Sequence, residues 1–179
     1  MDSIYFEEEH RLFRDQLKRF IDEDVLPNGS AWETAGSVPR DVLRRMGELG
    51  FLGIRYPERY GGAEMDTLGT AILAEELGRS TFGGFAVTVL VHTDMASPHL
   101  ARYGTDDQLE RYMPGITRGE LISAVAVTEP DAGSDVAGIR TRAVRDGDDY
   151  VLNGSKIFIT NGVLADVYFV AAKTDVDVK

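Results

Sequence analysis

At Gly119 the chain changes its period. Before it, apolar residues recur at helical spacing. After it, short apolar or alternating runs are separated by Asp146-Gly147-Asp148-Asp149, Asn153-Gly154 and Asn161-Gly162, all strong turn signals. A pattern of helical period cannot present one apolar face as a strand, nor the reverse, so the switch divides the chain. Residues 1–118 are expected to form an all-α domain, and residues 119–179 to begin an antiparallel β domain. Segregated helices and strands of this kind make an α+β fold.

Within the first part, Ser3 is placed to cap a helix over 4–25, with Phe6, Phe13, Leu17, Phe20, Ile21 and Val25 on one face. Pro27-Asn28-Gly29-Ser30 ends it. Ser37-Val38-Pro39 starts a second helix that buries Val42, Leu43, Met46 and Leu49 and stops at Gly50. A third is expected over 66–78. The run 85–100 is apolar on nearly every side. Its Val-Thr-Val-Leu-Val centre has strand propensity, but its length and helical surroundings favour a buried helix. Thr105 or Asp106 caps a fifth helix over 107–117, with Pro114 near its end. Strands are expected at 121–127, 139–144, 150–152, 156–160 and 167–173. Five short strands leave a sheet edge open, so the polypeptide is expected to continue past Lys179.

Composition excludes several classes of function. Thirty acids against 19 Lys and Arg give a net charge of −11. That disfavours nucleic acid and anionic membrane as partners, because both are met by concentrated cationic side chains. With no cysteine, a disulfide scaffold, a thiolate metal site and a Cys nucleophile are ruled out. No basic and apolar leader opens the chain, and no apolar run is long enough to span a bilayer. The expected location is a bacterial cytoplasm.

Two stretches carry chemistry. Residues 126–138 read Ala-Val-Thr-Glu-Pro-Asp-Ala-Gly-Ser-Asp-Val-Ala-Gly. The small residues, Gly133 above all, let backbone N–H groups approach an anionic or polar ligand. The plain alternative is a hairpin loop capped by Ser and Asp. Residues 153–162 read Asn-Gly-Ser-Lys-Ile-Phe-Ile-Thr-Asn-Gly, which alone is only a hairpin strand. Other signals are weak. His92, His99 and Asp94 are too sparse for a metal site. Gly154-Ser155-Lys156 lacks the preceding glycine of a phosphate loop, and neither a Gly-x-Gly-x-x-Gly nor a Gly-x-Ser-x-Gly motif is present.

Taken in order, these two stretches resemble the flavin-contacting signatures of the acyl-CoA dehydrogenase family. The helical part resembles it too, at Leu49-Gly50-Phe51-Leu52-Gly53-Ile54, Pro57-Glu58-Arg59-Tyr60-Gly61-Gly62 and Glu75-Glu76-Leu77-Gly78. The resemblance covers essentially the whole chain, and long-chain or citronellyl-CoA-like members are the nearest. It implies the N-terminal helical domain and the start of the middle β domain of such an enzyme, without the C-terminal helical domain.

The resemblance also implies FAD as cofactor. Backbone groups of Val125 and Val127 and the hydroxyl of Thr128 would meet the polar edge of the isoalloxazine. Gly133 and Ser134 would lie near the pyrophosphate, with Ser134 also near the thioester arm of the substrate. Phe158 would cover the ring, Ile159 and Thr160 would sit beside it, and the Thr160 hydroxyl would approach N5. Many members carry Trp where this chain has Phe158. The implied reaction converts an acyl-CoA thioester to a trans-2-enoyl-CoA in fatty-acid or branched-acid catabolism. Electrons would pass to an electron-transfer flavoprotein, from a homodimer or homotetramer. The catalytic base would be a Glu of the C-terminal domain, outside this chain, and no acid present is expected to replace it. Residues 89–97 would flank the acyl pocket, with Ala96 deepening it. The absence of a base leaves a second reading open, a non-catalytic subunit of this fold that completes a hetero-oligomer. A third is a flavin-using relative acting on nitroalkanes or hydroxylation targets.

Overall fold

A computed structural model describes residues 4–175. Helix α1 (Glu8–Phe20) starts later than the apolar spacing suggested, because Glu7 and His10 form a reciprocal capping box. Ser3, the expected cap, lies outside the described residues. The helix widens into one π-helical stretch, Ile21–Val25. A short helix then intervenes, α2 (Gly29–Ala35), where the sequence suggested only a stop. Gly29 is there for close packing rather than chain reversal, since a Cβ would run into the Phe82 ring. Helix α3 (Arg40–Glu48) follows Pro39, and Gly50 just beyond it takes a left-handed φ of 81°. Helix α4 (Thr67–Arg79) is capped by Asp66, which accepts from the N–H groups of Leu68 and Gly69.

The apolar run forms one continuous helical rod. It consists of α5 (Gly83–Leu90), a π-helical stretch Val91–Ala96, and α6 (Ser97–Tyr103). Widened turns misalign backbone carbonyls, and here side chains take them up. Tyr56 Oη donates to Thr93 O at 3.0 Å, and the Ser97 hydroxyl donates to His92 O. Helix α7 (Asp106–Thr117) has Thr105 and Gln108 as its capping box, and Pro114 sits inside its last turns. Leu17, Phe20, Leu43, Met46, Phe51, Leu73, Leu77, Phe85 and Val89 form the main core, and Ile122 from the β part packs into it. Burying such side chains is the dominant stabilising term.

The β part is smaller and less regular than expected. Strand β1 (Ser123–Ala126) pairs with β4 (Val167–Val170) in parallel, with Val125 opposite Phe169. Strands β2 (Arg142–Asp146) and β3 (Asp149–Asn153) form an antiparallel hairpin turned at Gly147. Residues 171–173 join the two pairs. Ala171 N–H donates to Ala126 O, Lys173 N–H donates to Thr141 O, and Ala143 N–H donates to Lys173 O. Two expectations are therefore corrected. Strand pairing is mixed rather than antiparallel throughout, because residues 127–166, with the hairpin among them, form a crossover long enough to bring β4 back beside β1 in the same direction. Residues 156–160 are not a strand. Left-handed backbone at Phe158 (φ 56°) and Asn161 (φ 64°) breaks the extended path.

Candidate functional site

The signature loop turns tightly at Glu129-Pro130-Asp131-Ala132, where Glu129 and Ala132 exchange both backbone hydrogen bonds. Glu129 is buried, and its carboxylate organises everything around it. One oxygen accepts from Lys156 Nζ at 2.8 Å and from Thr141 N–H at 2.9 Å, and the other accepts from Arg140 N–H at 2.6 Å. The Lys156 ammonium and these donors hold its pKa down at about 2. It is an ionised strut between the loop, the start of the hairpin and Lys156, with no capacity to take a proton near neutral pH.

Beyond the strut, β1 offers one backbone edge to residues 156–161. Within a strand, a residue's N–H and C=O point to one side and those of the next residue to the other. Ile122 O and Ala126 O accept from Val167 and Ala171, so even-numbered residues face β4. Odd-numbered residues face the opposite edge. There Ser123 O accepts from Asn161 Nδ2 at 3.2 Å, and Val127 O accepts from Lys156 Nζ at 2.7 Å. Between these two posts, the N–H and C=O of Val125 and the N–H of Val127 face away from β4, on the same edge as the Asn161 and Lys156 contacts. Ile157 N–H bonds Thr128 O at 3.0 Å and closes that end.

The segment that carries Phe158 is thus pinned at three places. Lys156 holds its start. Asn161 holds its middle, bridging Ser123 O and Thr88 O. Asp166 holds its end, accepting from both Arg40 guanidinium nitrogens and from Ile122 N–H at 2.8 Å. Phe158 stands 88% exposed on this fixed frame. An aromatic ring left in solvent on a rigid left-handed turn contributes little to folding, and it offers a flat apolar face to a ligand.

Two clefts flank this edge. One, of about 570 Å3, lies between α6–α7 and the β1–β4 pair. Val125 and Val127 line it with His99, Tyr103, Tyr112 and Phe169, and the His99 ring stacks on Phe169. The other, of about 600 Å3, is walled by Trp32, Phe82, Phe85, Val87 and Thr88 on one side and by residues 159–164 on the other. Ile159 and Thr160 belong to this second cleft. Gly133 and Ser134 are exposed on the signature loop and line neither cleft. A Cβ on Gly133 would meet no atom within 4 Å, so the loop surface there is open to a ligand. The eight expected contact residues are therefore not gathered in one cavity: Val125 and Val127 line one cleft, Ile159 and Thr160 the other, and Gly133 and Ser134 neither.

Residues 89–97, expected near the acyl pocket, are mostly turned into the core. Val89, Val91, His92, Thr93, Ala96 and Ser97 all point inward and are buried. The cleft beside Thr160 is lined by the preceding turn, Phe85, Val87 and Thr88. The same inward segment carries a buried histidine. His92 Nε2 faces Ile116 O and must carry the hydrogen, while Nδ1 accepts from Ser123 N–H at 3.1 Å. Burial pushes its pKa down to about 4, so the ring is neutral. Sequence reasoning assigned no role to Lys156, Asn161, Arg40 or Asp166. The only available signal was Thr160-Asn161-Gly162, in which Asn before Gly favours a left-handed turn.

Comparison with known proteins gives a consistent result. The family described as "Acyl-CoA dehydrogenase, N-terminal domain" matches residues 7–120, and "Acyl-CoA dehydrogenase, middle domain" matches 124–179. The mouse mitochondrial long-chain specific acyl-CoA dehydrogenase is 45% identical over 170 residues. That match takes in 95% of this chain but 39% of the mouse protein, so the chain spans about two fifths of that relative's length. The crystal structure of acyl-CoA dehydrogenase from Geobacillus kaustophilus superposes with a TM-score of 0.92 at 42% identity, over 97% of this chain and 45% of that one. A glutaryl-CoA dehydrogenase from Mycobacterium smegmatis, solved in complex with FADH2, gives 0.89 at 35% identity, over 95% of this chain and 44% of that one.

Proposed function

Because the chain belongs to the acyl-CoA dehydrogenase family, we propose that it supplies the flavin-facing wall of an FAD-dependent enzyme that dehydrogenates an acyl-CoA thioester to a trans-2-enoyl-CoA. The observation that carries this reading is the β1 edge between Lys156 and Asn161, with exposed Phe158 beside it. The residues present fit the cofactor. Backbone donors and acceptors at Val125 and Val127 suit the polar edge of an isoalloxazine, Phe158 suits its ring face, and the open surface at Gly133 suits a pyrophosphate. The Thr128 and Thr160 hydroxyls add donors at the rim, and Ser134 and Ile159 complete the contact surface.

When bound, FAD supplies the acceptor for the β-hydride. The protein's part is to orient and to stabilise charge. Fixed N–H donors on β1 are aimed where negative charge grows and need no reorganisation as it does. The apolar cleft bounded by Trp32, Phe82, Phe85 and Val87 receives the acyl tail and keeps water from it. Glu129 is not the base, since its oxygens are occupied and its pKa is about 2. The α-proton acceptor is assigned to a carboxylate outside residues 1–179, as the resemblance implies. Electron-transfer flavoprotein is the proposed electron acceptor, and a homodimer or homotetramer the proposed assembly.

The test is product analysis with the full-length protein. Straight long-chain, short-chain, branched and dicarboxylic acyl-CoAs are incubated with it and an artificial electron acceptor, and the recovered thioesters are weighed by mass spectrometry. Loss of two hydrogens from at least one of them supports the reading. Unchanged thioesters across the panel, from protein that carries FAD, overturn it and favour the non-catalytic subunit.

A further inference from the structure

Asn161 is 8% exposed, and its position is chemically unusual. Its Nδ2 donates to Thr88 O on α5 at 3.0 Å and to Ser123 O on β1 at 3.2 Å, while its Oδ1 has no partner. A buried amide oxygen without a donor is a cost to folding. Its backbone is left-handed, at φ 64°, as is that of Phe158 three residues earlier. Between them lie Ile159 and Thr160, which face the cleft. Among the described residues, the amide links this turn directly to both the helical domain and β1. The pairs at Lys156 and Asp166 hold the ends of the segment, and local turn bonds such as Gly162 N–H to Ile159 O shape its middle, but it is the Asn161 amide that ties that middle to α5 and β1.

We propose that Asn161 is a positioning residue for the cofactor face, setting the pose of Phe158 and Thr160 through its bridge from α5 to β1. This rests on the flavin reading above. The bridge draws the turn against Ser123 and so fixes where Phe158 and Thr160, its near neighbours in the chain, are presented beside β1. Ser123 is itself fixed by the neutral His92 ring, so the post on which Asn161 rests does not shift.

The experiment compares full-length wild-type protein with N161G and N161D. Glycine accepts the left-handed φ, so N161G removes the amide without straining the turn. Aspartate keeps the shape but, when ionised, presents oxygen to two carbonyls. Flavin occupancy, the visible flavin spectrum, the flavin midpoint potential, kcat and KM are measured beside thermal unfolding. The expected result is a folded N161G with an altered flavin spectrum and a shifted potential. Its kcat falls roughly 10- to 100-fold with little change in KM, the size of effect seen when a catalytic geometry is displaced. N161D shows the same pattern and recovers toward wild type as pH falls and its carboxyl regains a hydrogen to donate. Wild-type spectrum, potential and kcat in N161G overturn the proposal, even if its melting temperature drops. If N161G does not fold, N161D decides alone by the presence or absence of recovery at low pH. A colourless wild-type protein overturns the flavin reading itself and this role with it, and is distinguished by the control lane.

Discussion

Phe158 and Glu129 show how residue type alone can mislead. Phe158 belongs to the least exposed kinds of side chain and is 88% exposed, whereas Glu129 belongs to the most exposed kinds and is buried. In the proposed function the aromatic serves a ligand, while the acid serves structure. Truncating Phe158 to Ala is therefore expected to change folding stability by less than about 0.5 kcal/mol, as for other surface sites. Flavin affinity should fall by the worth of a ring contact, about 0.5–1.5 kcal/mol. Denaturant unfolding and flavin titration together check this. His92 makes a prediction with a definite sign. Its pKa is near 4 when folded and near 6.5 when unfolded, so between those values the unfolded chain binds the extra proton. Stability should fall as pH drops through that window, by up to roughly 3 kcal/mol from this group alone. A His92→Gln variant should show a flatter dependence of unfolding free energy on pH. The role of the Phe158 ring was expected from the resemblance, whereas the neutral state of the buried His92 was not legible from sequence. Glu129 stood out in its motif, but the donors that neutralise it come from positions 140, 141 and 156.

At the scale of elements, helices were read from the sequence more surely than strands, because their signals are local. Thr105 caps a helix as its capping chemistry suggested, and Asp66, expected as the first helical residue, is instead the cap. The run 83–103 is helical despite its β-branched centre, because burial on all sides outweighs intrinsic propensity. Its π-helical stretch was not legible, since it is sustained by Tyr56, far away in sequence. Removing that hydroxyl by Tyr56→Phe leaves the buried Thr93 carbonyl without its donor. The expected loss is about 1–3 kcal/mol, measured by denaturant unfolding. Among the expected strands, 156–160 fails for a related reason. Its β-branched and aromatic residues suit a strand, but Lys156 and Asn161 bond to the edge of β1 by their side chains, so no backbone ladder forms there.

Across the whole molecule, the helical part is the platform and the β part carries the β1 edge and Phe158, the proposed ligand face. The two meet through Ile122 in the helical core, the Arg40–Asp166 ion pair and the Asn161 bridge. The switch at Gly119 was visible in sequence, and so were the two signature stretches. Their common edge was not, because it depends on which side of β1 each backbone group faces. The central claim is that this edge and Phe158 receive a flavin that acyl-CoA can reduce. The direct measurement is an anaerobic titration of the full-length protein with acyl-CoA thioesters, following the visible flavin absorbance. The account predicts a yellow protein that is bleached by at least one saturated acyl-CoA. A folded protein that carries no flavin, or flavin that stays oxidised with every thioester in the panel, would contradict it.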